Sequence, residues 1–113
     1  MGDRVTELCS HVRGERLWAE LEELASFRDE GAPPYTRRAF GAAYEEARIW
    51  LRGRMEAAGL TTRRDEAGTL IGLRPGGREL PVLATGSHID TVHAGGRFDG
   101  ALGVLAAFEA LET

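Results

Sequence analysis

Lysine, asparagine and glutamine are absent from this 113-residue chain, so all 14 of its basic residues are arginines. The bias matches a GC-rich coding sequence better than any chemistry, yet it removes two mechanisms. A Walker-type phosphate loop needs its lysine, and so does a Schiff-base enzyme. The single cysteine, Cys9, excludes an internal disulfide. No apolar run approaches the roughly 20 residues that cross a bilayer, and the N-terminus lacks the basic-then-apolar pattern of a secretory signal. A soluble, cytoplasmic protein without membrane contact is the expectation. Excess positive charge is missing too. The formal charge is −4 with acidic and basic residues interspersed, which leaves no footprint for nucleic acid.

What is present suffices for one small core, at 42% hydrophobic residues. Leu17, Leu21 and Leu24, widened by Trp18 and Ala25, predict an amphipathic helix within residues 10–27. Gly31, Pro33 and Pro34 then mark a loop. Thr36 is a candidate cap for the next helix, in which Phe40, Tyr44, Ala47, Leu51, Met55 and Ala58 recur at three or four residues. Gly59 closes that helix. Two short strands follow, Leu60–Arg64 and Thr69–Leu73, about a turn containing Gly68. Leu80–Thr85 is apolar almost throughout, as in a strand buried on both faces, with Pro81 at its start. Leu102, Leu105, Phe108 and Leu111, with Val104 alongside, predict a last helix over 101–111. The sum is an α/β layer with helices packed on an incomplete sheet. A doubly buried strand needs neighbours that these elements do not supply, and a piece of a longer protein is expected.

The chemistry concentrates in Thr85-Gly86-Ser87-His88-Ile89-Asp90-Thr91-Val92 and Gly95-Gly96-Arg97-Phe98-Asp99-Gly100. His88 leaves the C-terminal end of the expected strand, the edge of an open α/β sheet where ligands bind. Asp90 stands two residues on, so in extended backbone both side chains share a face. A carboxylate there accepts from one imidazole nitrogen and leaves the other for a metal. Asp99 lies in a glycine-rich turn before the last helix, where a carboxylate can bridge two divalent ions or cap the helix. A catalytic zinc takes about three protein ligands. His11 and His93 do not complete that set by position, so the site is incomplete. Arg97 reads as a solvated loop arginine and Ser87 as a loop-shaping residue without a nucleophile-elbow context. Cys9 has no assigned role.

The run TGSHIDTVHAGGRFDGALGVLAAFEAL resembles the first metal-binding motif of the hydantoinase/carbamoylase family, which includes N-carbamoyl-L-amino-acid hydrolases and allantoate amidohydrolases within the wider M20-like metallohydrolases. The resemblance extends back through GLTTRRDEAGTLIGLRPG to RRAF and ARIWLRGRMEAAG and so covers most of the chain. It implies an N-terminal segment, residues 1–113, of an M20-type zinc-hydrolase catalytic domain. The remaining catalytic segment and the lid or dimerisation domain would lie outside it. It further implies His88 and Asp99 as metal ligands, Asp90 as the catalytic-site residue that orients His88, and two divalent ions, zinc or manganese. The implied activity is binuclear metal-dependent hydrolysis of a C–N bond in an N-carbamoyl or ureido small molecule by a homodimer. This chain alone is expected to be inactive. Thr69, where many relatives carry asparagine, and His93, at a loop position often taken by proline, depart from the pattern. A non-catalytic module associating through apolar faces, and an aminopeptidase of the wider group, are the alternatives.

Overall fold

The computed structural model describes residues 2–79 and 81–113 and places six elements in them: α1 (Gly2–Ser10), α2 (Gly14–Ser26), α3 (Ala42–Ala57), β1 (Thr61–Arg64), β2 (Leu70–Leu73) and α4 (Ala101–Glu112). The periodic apolar residues account for three of the helices. In α2 the buried residues include Leu21, Leu24 and Ala25, whereas Trp18 is half-exposed. The first helix, α1, carries no apolar stripe that the sequence reading recognised, and none of its residues is buried.

Helix α3 begins two residues later than the periodicity predicts. Phe40 has φ 63° and is exposed, and Gly41 takes the extended cap position. Thr36 does not cap this helix. Its hydroxyl is buried, donates to the Pro33 carbonyl at 2.8 Å and accepts from the Ala94 N–H at 3.0 Å. The other end follows expectation. Gly59 adopts φ 88°, its N–H donates to Glu56 and that of Leu60 to Met55, each at 3.0 Å. These two bonds satisfy carbonyls that a helix end otherwise leaves without partners.

The reversal at Gly59 sends the chain into an antiparallel hairpin, with Thr61 opposite Leu73 and Arg64 opposite Leu70. Asp65 shapes its loop, accepting the Thr69 N–H on its carboxylate at 2.8 Å, while Gly68 turns with φ 90°. The hairpin lies close against the end of α3. A side chain at Gly72 would meet Leu60 at 2.8 Å and the Met55 sulfur at 3.0 Å.

The third strand expected at Leu80–Thr85 is not formed. Leu80 lies outside the described residues, and residues 81–90 carry no strand. Val82 and Leu83 are 81% and 96% exposed. A strand exists through its ladder partners, and among the described residues the sheet consists of β1 and β2 alone. The fold is therefore a set of helices with one small antiparallel sheet rather than a layer around a buried strand.

The core joins Leu21 and Leu24 of α2, Ala47 and Leu51 of α3, and Ala101 and Leu105 of α4 with Ile89. Leu24 and Leu105 have no exposed surface, and each such side chain contributes about 1.5–3 kcal/mol by leaving water. The buried face of α4 differs from the expected leucine stripe. Leu105 and Phe108 point inward, but Leu102 and Leu111 stay partly exposed and Glu109 is buried. Glu109 accepts Arg16 Nε at 2.7 Å on one oxygen, and Arg16 Nη2 at 2.9 Å and the Arg13 N–H at 2.7 Å on the other. This fork fastens α2 to α4 and satisfies a carboxylate that burial alone would penalise.

The hydrogen bonds from Arg16, aided by the Arg13 N–H, hold the Glu109 carboxyl below its ordinary range against the opposing effect of burial. A group lowered in the folded state contributes stability that is present above its unfolded pKa and lost as pH falls through the folded value. Acid titration should therefore destabilise the protein progressively below the ordinary carboxyl value of 4.5. Glu109→Gln should show a shallower acid decline and lose about 1–3 kcal/mol at neutral pH. Urea midpoints measured across pH 3–7, roughly the span over which a paired carboxylate titrates, check both.

Candidate metal centre

The segment that carries the site, residues 88–100, holds no regular structure of its own before α4. Its position is imposed from outside by Arg37. The Arg37 N–H donates to the Thr91 hydroxyl at 2.8 Å, and the Arg37 carbonyl accepts the Thr91 N–H at 2.8 Å. Thr91 in turn donates to the Tyr35 carbonyl at 3.1 Å. The guanidinium completes the junction, with Nε donating to the Ile89 carbonyl at 2.8 Å and Nη1 to the carbonyls of Leu24 at 2.9 Å and Phe27 at 2.7 Å. Burial pushes the Arg37 pKa down, and Asp90 and Asp29 oppose that shift. One buried cation thus ties the C-terminal end of α2 to the backbone between His88 and Asp90.

His88 and Asp90 meet as their spacing predicts, although no strand presents them. His88 Nδ1 lies 3.1 Å from the Asp90 carboxylate and 3.1 Å from the Asp90 carbonyl. Both neighbours are acceptors, so Nδ1 carries a proton, and in the neutral imidazole the lone pair lies on Nε2. Nε2 faces Asp99 Oδ2 at 3.8 Å. Two electron-pair donors across that gap suit one shared divalent ion, because bonds of about 2.0–2.2 Å from each side span it. The side chains of His88 and Asp99 are 51% and 75% exposed. Among the described residues, no group of three or more His, Cys, Asp or Glu is placed to hold a metal. The donor chemistry fits a divalent ion, but as a pair rather than a complete set.

Close approach to α4 makes this arrangement possible. Gly100, with φ 71°, stands at the cap position of α4, and no side chain caps that helix, so the Asp99 carboxylate is not engaged there. A Cβ on Gly100 would lie 2.4 Å from His88 Cε1 and 2.4 Å from the His88 carbonyl oxygen. One on Gly103 would lie 2.9 Å from the Ser87 Cβ. Gly100 thus belongs to the site by leaving room for the imidazole. The sequence hinted at this only through the general glycine richness of the turn.

The other polar candidates divide. His93 and His11 are exposed and do not join the His88 group, and Cys9 is exposed. Arg97 is not the solvated residue its loop position suggested. It pairs with Glu22, and its guanidinium lies over the rings of Trp18, Tyr35 and Phe98. Arg37 carries no local pattern that marks its role, and that of Arg97 differs from the solvated one its loop position predicts.

The chain is 44% identical to the N-carbamoyl-L-amino-acid amidohydrolase of Paenarthrobacter aurescens over 100 residues, which cover 88% of this chain and 24% of that protein. It is 44% identical to the allantoate amidohydrolase of Escherichia coli over 107 residues, 93% of this chain and 26% of that one. A solved structure of an amidase of the hydantoinase/carbamoylase family from Burkholderia phymatum superposes with a TM-score of 0.76 at 39% identity, covering 89% of this chain and 24% of that one. No family model matches. The resemblance to the hydantoinase/carbamoylase family therefore holds over most of the chain, which spans about a quarter of the length of the curated relatives it matches. No helix among the described residues is long and apolar enough to cross a membrane.

Gly100→Ala should disturb the site more than the fold. The added methyl must move the His88 ring and carbonyl, and a non-glycine residue at this φ costs about 1–3 kcal/mol. Thermal unfolding should register that loss, and the His88 imidazole resonances should shift. Unchanged imidazole resonances would show that Gly100 does not shape the site.

Proposed function

We propose that this chain supplies part of the metal site of an amidohydrolase that cleaves a C–N bond in an N-carbamoyl-amino-acid or ureido small molecule. The observation that carries this reading is His88, fixed through Nδ1 by Asp90 and presenting Nε2 toward Asp99, in a chain similar to carbamoyl amidohydrolases over most of its length.

His88 and Asp99 would hold the divalent ions, zinc or manganese. When bound, such ions polarise a substrate carbonyl and lower the pKa of a bound water toward about 7. The chain's own residues do the preparatory work. Asp90 would keep the imidazole in the Nδ1–H tautomer and fix the orientation of its ring. Gly100 lets the ring lie against the start of α4. The open, half-exposed position of His88 and Asp99 suits a small polar substrate reaching them from one side.

In this reading residues 1–113 form the N-terminal segment of a catalytic domain. The general base, the further ligands and a lid or dimerisation domain come from outside them. The complete protein is a cytoplasmic homodimer, and the segment alone has no turnover. The exposed Val82 and Leu83 favour a second reading, a non-catalytic module that associates through that apolar stretch.

A chimera in which this chain replaces the matching quarter of the Paenarthrobacter aurescens relative tests the reading. It should hydrolyse N-carbamoyl-L-amino acids, and His88→Ala or Asp99→Ala should reduce kcat/KM by about 10³-fold or more, as loss of an interaction made in the transition state does. A folded, active chimera indifferent to His88→Ala would contradict the metal role. The purified 113-residue chain with zinc or manganese should show no turnover, and turnover abolished by His88→Ala would overturn its assigned inactivity.

A further inference from the structure

Asp99 is the more exposed of the two proposed ligands, and its carboxylate takes no hydrogen bond among the described residues. Something else must hold it in place. The turn before it offers little, since Gly95 and Gly96 have no side chains to anchor and Gly96 sits at φ 85°. Behind it, backbone bonds from the Ala101 N–H to the Asp99 carbonyl at 2.8 Å and from the Leu102 N–H to Phe98 at 2.9 Å fix the entry to α4. Upstream, the Ala94 N–H is tied to the Thr36 hydroxyl, and the attachment nearest Asp99 is made by the two side chains that precede it.

Arg97 lies in an aromatic box. Its guanidinium carbon is 5.0 Å from the Phe98 ring centre, 5.2 Å from that of Trp18 and 5.6 Å from that of Tyr35. Its Nη1 pairs with Glu22, and the side chain is only 27% exposed. Trp18 and Glu22 stand one turn apart on α2 and so present one face to it. Phe98 adds its own contact, with its ring 6.0 Å from that of Trp18. A planar guanidinium can stack on several rings while donating to a carboxylate, whereas an ammonium offers only a point charge.

We propose that Arg97 is a positioning residue, clamping the turn onto α2 and the Tyr35 loop so that Asp99 is held opposite His88. The proposal rests on the reading of His88 and Asp99 as metal ligands. Arg97 does not touch the ligand-bearing atoms. It acts through the backbone of the next two residues, and the geometry of its stack rather than its charge is what matters.

The test uses the 113-residue chain labelled with nitrogen-15. Two quantities are measured for the parent, Arg97→Lys and Arg97→Ala: zinc affinity, followed at the His88 imidazole resonances, and the amide order parameters of Phe98, Asp99 and Gly100. In the parent, zinc should shift the His88 signals, and Asp99→Ala should weaken that response. Both Arg97 variants should lower the order parameters of the three amides and weaken zinc by about 10-fold or more, the effect of removing a group that orients a ligand. Arg97→Lys should fail to rescue although it keeps the charge. Order and zinc affinity unchanged in Arg97→Ala would overturn the clamp alone, as would full rescue by lysine. If the parent chain alone gives no zinc response, the zinc comparison is made in the chimera, which supplies the missing ligands, and no response at His88 there would overturn the metal reading and the clamp's purpose with it.

Discussion

A buried guanidinium that meets no carboxylate among the described residues is the constraint on which the candidate site depends. Arg37 is 3% exposed, and its side-chain bonds go to three backbone carbonyls. Removing a cation from water is costly unless its donors are satisfied, and the carbonyl of Leu24, in the last turn of α2, carries the partial negative charge of a helix C-terminus. The arrangement is stable only while α2, the Phe27 turn and the Ile89 backbone stay together. Because the Arg37 backbone also exchanges two bonds with Thr91, the stretch from Ile89 to Thr91 is held on both sides without belonging to a sheet. Asp90 belongs to that stretch and His88 immediately precedes it, so the stretch sets where the two side chains meet.

The same logic recurs elsewhere in the fold. Glu109 is held between α2 and α4 by Arg16, and Glu20 is buried against Arg54 of α3. Helices α3 and α4 are thus each tied to α2 through a buried carboxylate paired with an arginine, beside their apolar contacts. Ions in such positions add less net stability than hydrocarbon of similar size might, but they penalise displaced packings, in which a charge would lose its partner. The residues proposed for the site lie on irregular backbone, which depends on that registration for its position.

The local patterns were legible in the sequence and the distant ones were not. The period of α3, the hairpin about Gly68 and the start of α4 depend on residues a few positions apart, as does the pairing of His88 with Asp90. The ties of Arg37 to Ile89, Arg97 to Glu22 and Arg16 to Glu109 join residues 52, 75 and 93 positions apart, and no periodicity announces them. Leu80–Thr85 failed for a related reason. An apolar run states what a segment can do if covered and paired, but not whether a neighbour is there. Glu109 is not marked by a stripe of apolar residues, and Gly100 is not marked because its importance lies in what it leaves empty beside His88.

The residues proposed for metal chemistry are therefore gathered here in part, on a scaffold held by arginines rather than by a sheet, and no further ligand joins them among the described residues. The claim most exposed to test is that Arg37 holds the Ile89–Thr91 stretch. Amide hydrogen exchange at Thr91, compared between the parent chain and Arg37→Met, addresses it directly. Exchange at Thr91 should become fast in the variant while the amides of α3 remain protected. Thr91 protection equal to that of the parent would contradict the account.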